Sequence, residues 1–143
     1  MRKLIVLTVC VLTLAMMASM GVSAPSTGGI YGVAVPNATN SFYATCIGGV
    51  IAGVAEVDPT ATVVVQDAQG DSARQLEQVS TLLQQGAKAL ILIPIDSNSI
   101  APAVQEAKEM GVPVVAMDTP ITNRDGVIST VVSDNYSAGY AFH

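Results

Sequence analysis

The sequence predicts an α/β protein built on a doubly wound parallel sheet with flanking helices. Three observations carry that expectation. Five short runs, apolar on both faces, recur along the chain: Ile30–Val35, Ala61–Val65, Ala89–Ile93, Val112–Met117 and Val127–Val132. Segments with helical periodicity separate the first four of them. Each run is followed by polar residues, in turn Asn37 to Asn40, Asp67, Asp96, Asp118 and Asp134. Strands apolar on both faces belong between two helix layers, and helices of 10–16 residues between them are parallel crossovers. Ligands of such sheets bind in the crevice at the carboxyl ends of the strands. The polar residues after each run are therefore the first place to look for function.

Residues 1–24 stand outside this cadence. Arg2 and Lys3 form a basic start, Leu4–Met20 is mainly apolar, and Gly21, Ser23 and Ala24 are small. That is the layout of a secretory signal peptide, with an uncleaved membrane anchor as the alternative, because the run approaches the ~18–20 residues that cross a bilayer. Pro25 directly after Ala24 leaves cleavage after Gly21 or Ser23 open as well. No cysteine follows at a lipoprotein-type position, so a lipid anchor is not expected. Residues 25–29 are a flexible lead into the first strand.

The expected elements follow in order. Strand Ile30–Val35 leads through Asn37–Ser41 into helix Phe42–Val57, where Tyr43, Ile47, Val50 and Val54 share one face. Gly48, Gly49 and Gly53 lower its helix propensity, which suggests close packing against the sheet. Asp58-Pro59 ends it. Strand Ala61–Val65 precedes helix Ala73–Gln85, with Leu76, Val79 and Leu83 on one side and Gly86 at the C-cap. Strand Ala89–Ile93 precedes helix Ile100–Met110, with Pro102 in the first turn, where proline is tolerated. Strand Val112–Met117, a loop at Thr119–Gly126, strand Val127–Val132 and a helix beginning at Tyr136 complete the series. The sequence stops at His143, about seven residues into that helix, as a truncated chain would.

Charge and composition narrow the function classes. Formal net charge is −5, with 11 acidic residues against 6 basic ones. Arg2 and Lys3 lie in the leader, so the remainder is more acidic still and has no basic patch for nucleic acid. Cys10 also lies in the leader, which leaves Cys46 without an internal disulfide partner. Its neighbours Tyr43, Ile47 and Val50 make it read as a buried structural cysteine. The single histidine, His143, is terminal, so a Ser-His-Asp or Cys-His arrangement lacks a base. One His and one Cys cannot supply a metal site, and the acids lack calcium-loop spacing. Gly28-Gly29 precedes a strand and Gly48-Gly49 lies within a helix, so neither forms a phosphate-binding turn. No catalytic residue, metal or cofactor is expected.

The strand ends suit a polar, neutral ligand better. Asn40, Phe42 and Tyr43 put an amide beside two aromatic rings, the mixture that covers the C–H faces of a sugar and exchanges hydrogen bonds with its hydroxyls. Asp118 offers two acceptor oxygens for neighbouring hydroxyls, and no helix follows closely enough for it to cap. Each of the others has a plainer reading. Phe42 and Tyr43 also read as helix-start core residues, and Asn40 as the helix cap or as both cap and contact. Asp96 reads as the cap of helix Ile100–Met110 with Ser97 or Ser99, and Asp67 as a turn residue. Asp134 reads equally as a cap or as lining the cleft.

The stretches GVAVPNATNSFYATCIGGVIAGVAE, VVVQDAQGDSARQLEQVSTLLQQGAKALILIPIDSNSIAPAVQEAKEMGVPVVAMDTP and VVSDNYSAG resemble the periplasmic sugar-binding proteins of ABC transporters, of the ribose-binding type. The resemblance covers essentially everything after the leader. It implies a two-lobed protein, a monomer when complete, whose closed, ligand-bound form is recognised by a membrane ABC permease or, alternatively, presented to a sensory receptor. By this resemblance Asn40, Phe42, Tyr43 and Asp118 match ligand-contacting positions of the first lobe. Thr119 stands where several relatives place an arginine on the ligand, and Ser41 replaces a proline common before the aromatic pair. Residues 30–134 would be an incomplete N-terminal lobe. The Ser133-Asp134-Asn135 stretch resembles the first hinge crossing of this family, with Asp134 and Asn135 as candidate cleft or hinge residues, and 135–143 would begin a second lobe. The resemblance thus implies periplasmic capture of a monosaccharide or similar polyol, with weak binding by this half-site alone. A repressor effector domain would need a helix-turn-helix where the leader stands, and a flavodoxin-like enzyme would need a phosphate loop.

Overall fold

The computed structural model of this protein describes residues 28–133. The expected signal segment, the helix beginning at Tyr136, and Asp134 and Asn135 lie outside them. The described elements are β1 (Ile30–Val35), α1 (Ser41–Val57), β2 (Thr62–Asp67), α2 (Ser72–Gln84), β3 (Ala87–Leu92), α3 (Ala101–Glu109), β4 (Val114–Met117) and β5 (Val127–Val131). Every run expected to be a strand is one, and the three inner helices form within one residue of their expected starts and ends.

The five strands make one parallel sheet in the order β2-β1-β3-β4-β5. The chain steps outward from β1 to β2, then crosses back over β1 to β3 and continues through β4 to β5. Parallel crossovers are right-handed, so this reversal puts α1 on one face and α2 and α3 on the other. The crevice where the winding direction reverses lies between β1 and β3.

The two faces are packed unequally. Under α2 and α3, Leu82, Leu83, Leu90, Leu92, Ile100, Val104, Val114 and Ala116 are fully buried in one cluster. The α1 face has a smaller cluster of Val33, Val35 and Ile93, against which Tyr43, Cys46, Ile47, Val50 and Met117 pack half-buried. All 17 residues of α1 are exposed or half-buried. This corrects the reading of its glycines: a Cβ built on Gly48, Gly49 or Gly53 meets nothing within 4 Å. They lie away from the sheet, and the apolar stripe of Tyr43, Ile47 and Val50 makes the contact instead.

Smaller corrections have local causes. β3 starts at Ala87, two residues early, because Gly86 at φ 82° turns the chain straight out of α2 into the sheet. β2 runs on to Asp67 because Gln66 and Asp67 still pair with Ala34 and Val35. β4 begins only at Val114, after Pro113, whose ring nitrogen has no proton to give a ladder.

Candidate functional site

The carboxyl end of β1 is shaped by two asparagines. Asn37 Oδ1 accepts from Thr39 N at 2.9 Å and from Thr39 Oγ1 at 2.7 Å, a local turn of the kind that competes with regular structure. Asn40 has extended φ and ψ and accepts from Phe42 N at 2.9 Å. It is therefore the N-cap of α1, the capping alternative raised for it. Only its Oδ1 serves the cap, so the exposed amide nitrogen stays available for another acceptor.

Capping at Asn40 sets the direction of the first helical turn. Phe42 comes out 46 % exposed, and its ring meets that of Tyr43 edge-on, with centroids 5.3 Å apart and planes at 72°. Such a T-shaped pair is a favoured arrangement of ring quadrupoles. Tyr43 points the other way, half-buried against the Val33, Val35 and Ile93 cluster. The two alternatives for the aromatic pair are thus divided between them: Tyr43 packs on the core and Phe42 faces outward.

At the end of β4 the chain turns sharply. Asp118 has φ 62°, a left-handed conformation that a non-glycine residue adopts at a cost. Its N–H donates to Val131 O at 2.8 Å, and Thr119 N donates to Met117 O at 2.8 Å. Thr119 is half-buried in this turn. Held this way, Asp118 joins Phe42, Cys46, Met117, Val131, Val132 and Ser133 around one groove of about 170 Å³. Of the residues expected at the site, Phe42 and Asp118 both line it. Asn40 and Tyr43 support one wall and Thr119 belongs to the turn.

Cys46, Met117 and the Val131–Ser133 segment were not expected here. Cys46 is half-buried rather than buried; it lies one turn beyond Phe42 on the same side of α1, a spacing legible in the sequence. The other strand-end acids have structural work. Asp67 accepts from Gln69 N, and Asp71 caps α2 by accepting from Ala73 N and Arg74 N at 2.9 and 3.1 Å. Asp96 accepts from Ser99 N at 2.7 Å and Asn98 N at 2.9 Å. Those backbone donors hold its carboxyl below the ordinary 3.8. It caps the turn before α3 and not the helix itself, whose N-cap is Ile100, because a turn at 97–100 separates Asp96 from the first helical residue.

A second, larger depression of about 280 Å³ lies between α2 and α3, lined by Leu76, Glu77, Ser80, Pro102, Ala103 and Glu106. It sits along the two helices and shares no lining residue with the groove. Among the described residues no group of three or more His, Cys, Asp or Glu side chains converges as metal ligands would, and no helix is long and apolar enough to cross a membrane.

A 2-1-3-4-5 parallel sheet with a groove at its carboxyl edge defines an α/β ligand-binding lobe. Residues 31–142 match the periplasmic binding protein domain family, and the chain belongs to it. It is 44 % identical over 78 residues to the ribose import binding protein of Bacillus subtilis, a match covering 54 % of this chain and 25 % of that one. With the ribose import binding protein of Haemophilus influenzae it shares 32 % identity over 139 residues, 97 % of this chain and 45 % of the relative. Among solved structures, an ABC transporter solute binding protein from Clostridium phytofermentans with bound β-D-glucose superposes with a TM-score of 0.71 at 26 % identity, covering 78 % of this chain and 34 % of its own. The chain therefore spans less than half the length of these relatives.

Proposed function

We propose that this chain forms one wall of the ligand cleft of an exported sugar-binding protein that delivers a monosaccharide or similar polyol to an ABC importer. The observation that carries this is the groove at the sheet's carboxyl edge, lined by both the exposed Phe42 and Asp118. An aromatic face covers sugar C–H groups while a carboxylate accepts from two neighbouring hydroxyls. The ribose and glucose proteins that resemble this chain support the substrate class, and their names support an ABC permease as partner. Asn40 supplies its free amide nitrogen at the rim, and Thr119 holds the turn that presents Asp118. Asp134 and Asn135 follow Ser133 in sequence and are proposed as hinge or cleft residues. Residues 1–24 serve as the export signal. A groove walled on one side leaves most of a sugar's surface in water, so this chain alone binds weakly.

Isothermal titration of the full-length protein with D-ribose, D-glucose, D-xylose, xylitol and myo-inositol tests the assignment. Binding of at least one is expected, weakened tenfold or more by Phe42→Ala or Asp118→Ala. No heat with any of the five, or full affinity in both variants, would overturn it.

A further inference from the structure

Gln75 is the one polar side chain fully buried among the described residues, at 1 % exposure. It projects from α2 and spends its carboxamide on a single place in the fold. Its Nε2 donates to Ile93 O at 2.8 Å, and its Oε1 accepts from Ile95 N at 3.0 Å. The residue between them is Pro94, which has no N–H to give. The β3–β4 ladder ends at the Leu92–Ala116 pair, so one amide replaces the strand partner that β3 loses there. A buried backbone acceptor and a part-buried donor would otherwise each be left without a protein partner.

What Gln75 holds leads to the groove by two routes. Ile93 also donates its N–H to Ala34 O at 2.9 Å, and its side chain lies in the cluster against which Cys46 and Met117 pack. Cys46 and Met117 both line the groove. Further along, Ser97 O accepts from Thr122 N at 3.1 Å, which ties the exit of β3 to the loop joining β4 and β5. That loop begins at Asp118.

We propose that Gln75 is a positioning residue for the groove: its carboxamide fixes the exit of β3 beneath Cys46 and Met117 and, through Ser97 and Thr122, steadies the loop that carries Asp118. It touches no groove atom itself. The importance of that position rests on the groove being the ligand site, but the geometry can be tested without any ligand.

The experiment compares the wild-type full chain with Gln75→Met, which keeps the length of the side chain and removes both hydrogen bonds, and with Leu82→Ala, which damages the same helix without touching the β3 exit. Backbone amide exchange is read by NMR, and alkylation of Cys46 by iodoacetamide is read by peptide mass, so that Cys10 is counted separately. In Gln75→Met, exchange at Ile95 and Thr122 should rise at least tenfold more than at the ladder amides of Val33 and Leu90. Alkylation of Cys46 should speed up severalfold, and Leu82→Ala should show neither selective change. Unchanged exchange at Ile95 or Thr122, a rise equal throughout the sheet, or unchanged reactivity of Cys46 would each overturn the proposal. No sugar is added, so none of these results depends on whether the protein binds one.

Discussion

Replacing Asp118 separates what its backbone costs from what its carboxylate does. At φ 62° any L-residue carries a left-handed penalty of about 1–2 kcal/mol, while glycine carries none. Asp118 accepts no hydrogen bond through its side chain from the described residues, so a local side-chain bond does not offset the penalty. Glycine has a cost of its own, about 0.5–1 kcal/mol of extra chain entropy lost on folding. The difference leaves Asp118→Gly more stable than Asp118→Ala by roughly 0.5–1 kcal/mol. At an ordinary position the order is reversed by a similar amount, so the sign itself is diagnostic. Urea unfolding of both variants, with a slope of about 1–2 kcal/mol/M, should place the glycine midpoint about 0.3–1 M higher. Both variants lack the carboxylate and both should lose sugar affinity in the full-length protein. An alanine variant as stable as the glycine variant, or more so, would refute the claim that this backbone is held under strain at the groove.

Further expectations concern the frame around the site. Asp71→Ala removes the acceptor for two amides at the start of α2 and should cost about 1 kcal/mol in urea unfolding; no loss would show that another group caps the helix. Leu82→Ala empties a fully buried position of the larger core and should cost about 2.5–5 kcal/mol, a range that a measured value under 1 kcal/mol would contradict. The Asp96 carboxyl is held below 3.8 by the Ser99 and Asn98 amides, so folding favours its ionised form. Its stabilisation is full above the ordinary carboxylate value and is lost as pH falls through the lowered one. Carbon-detected NMR titration should place its midpoint below 3.8, and Asp96→Asn should flatten the acid limb of the unfolding curve. A midpoint at or above 3.8 would contradict the capped turn.

The architecture and two residues of the groove lining, Phe42 and Asp118, were open to reading from residue patterns. Apolar runs such as Val63 to Val65 and Leu90 to Leu92 mark strands covered on both faces, because burial on two sides leaves no polar alternation to write. The end of β4 is legible for a similar reason: an aspartate follows a strand with no helix close enough to cap. Phe42 and Tyr43 were ambiguous because adjacent helix positions differ by about 100° in direction, and only the docking of α1 shows which ring faces the groove. The glycines of α1 misled because low helix propensity does not say which side of a helix meets the sheet.

By itself the sequence determined the α/β class and the alternation of strands and helices, and it pointed to the strand ends as the candidate site. Periodicity and chain chemistry are local and survive in one dimension. Only the tertiary structure decided that the order is 2-1-3-4-5, that Phe42 and Asp118 line one groove while Asp67, Asp71 and Asp96 hold turns and caps, and that Cys46 and Val131 to Ser133 complete the groove. Those outcomes depend on contacts between residues far apart along the chain, such as Asp118 with Val131 and Gln75 with Ile93. They arise from the joint packing of strands and helices, which no single stretch encodes.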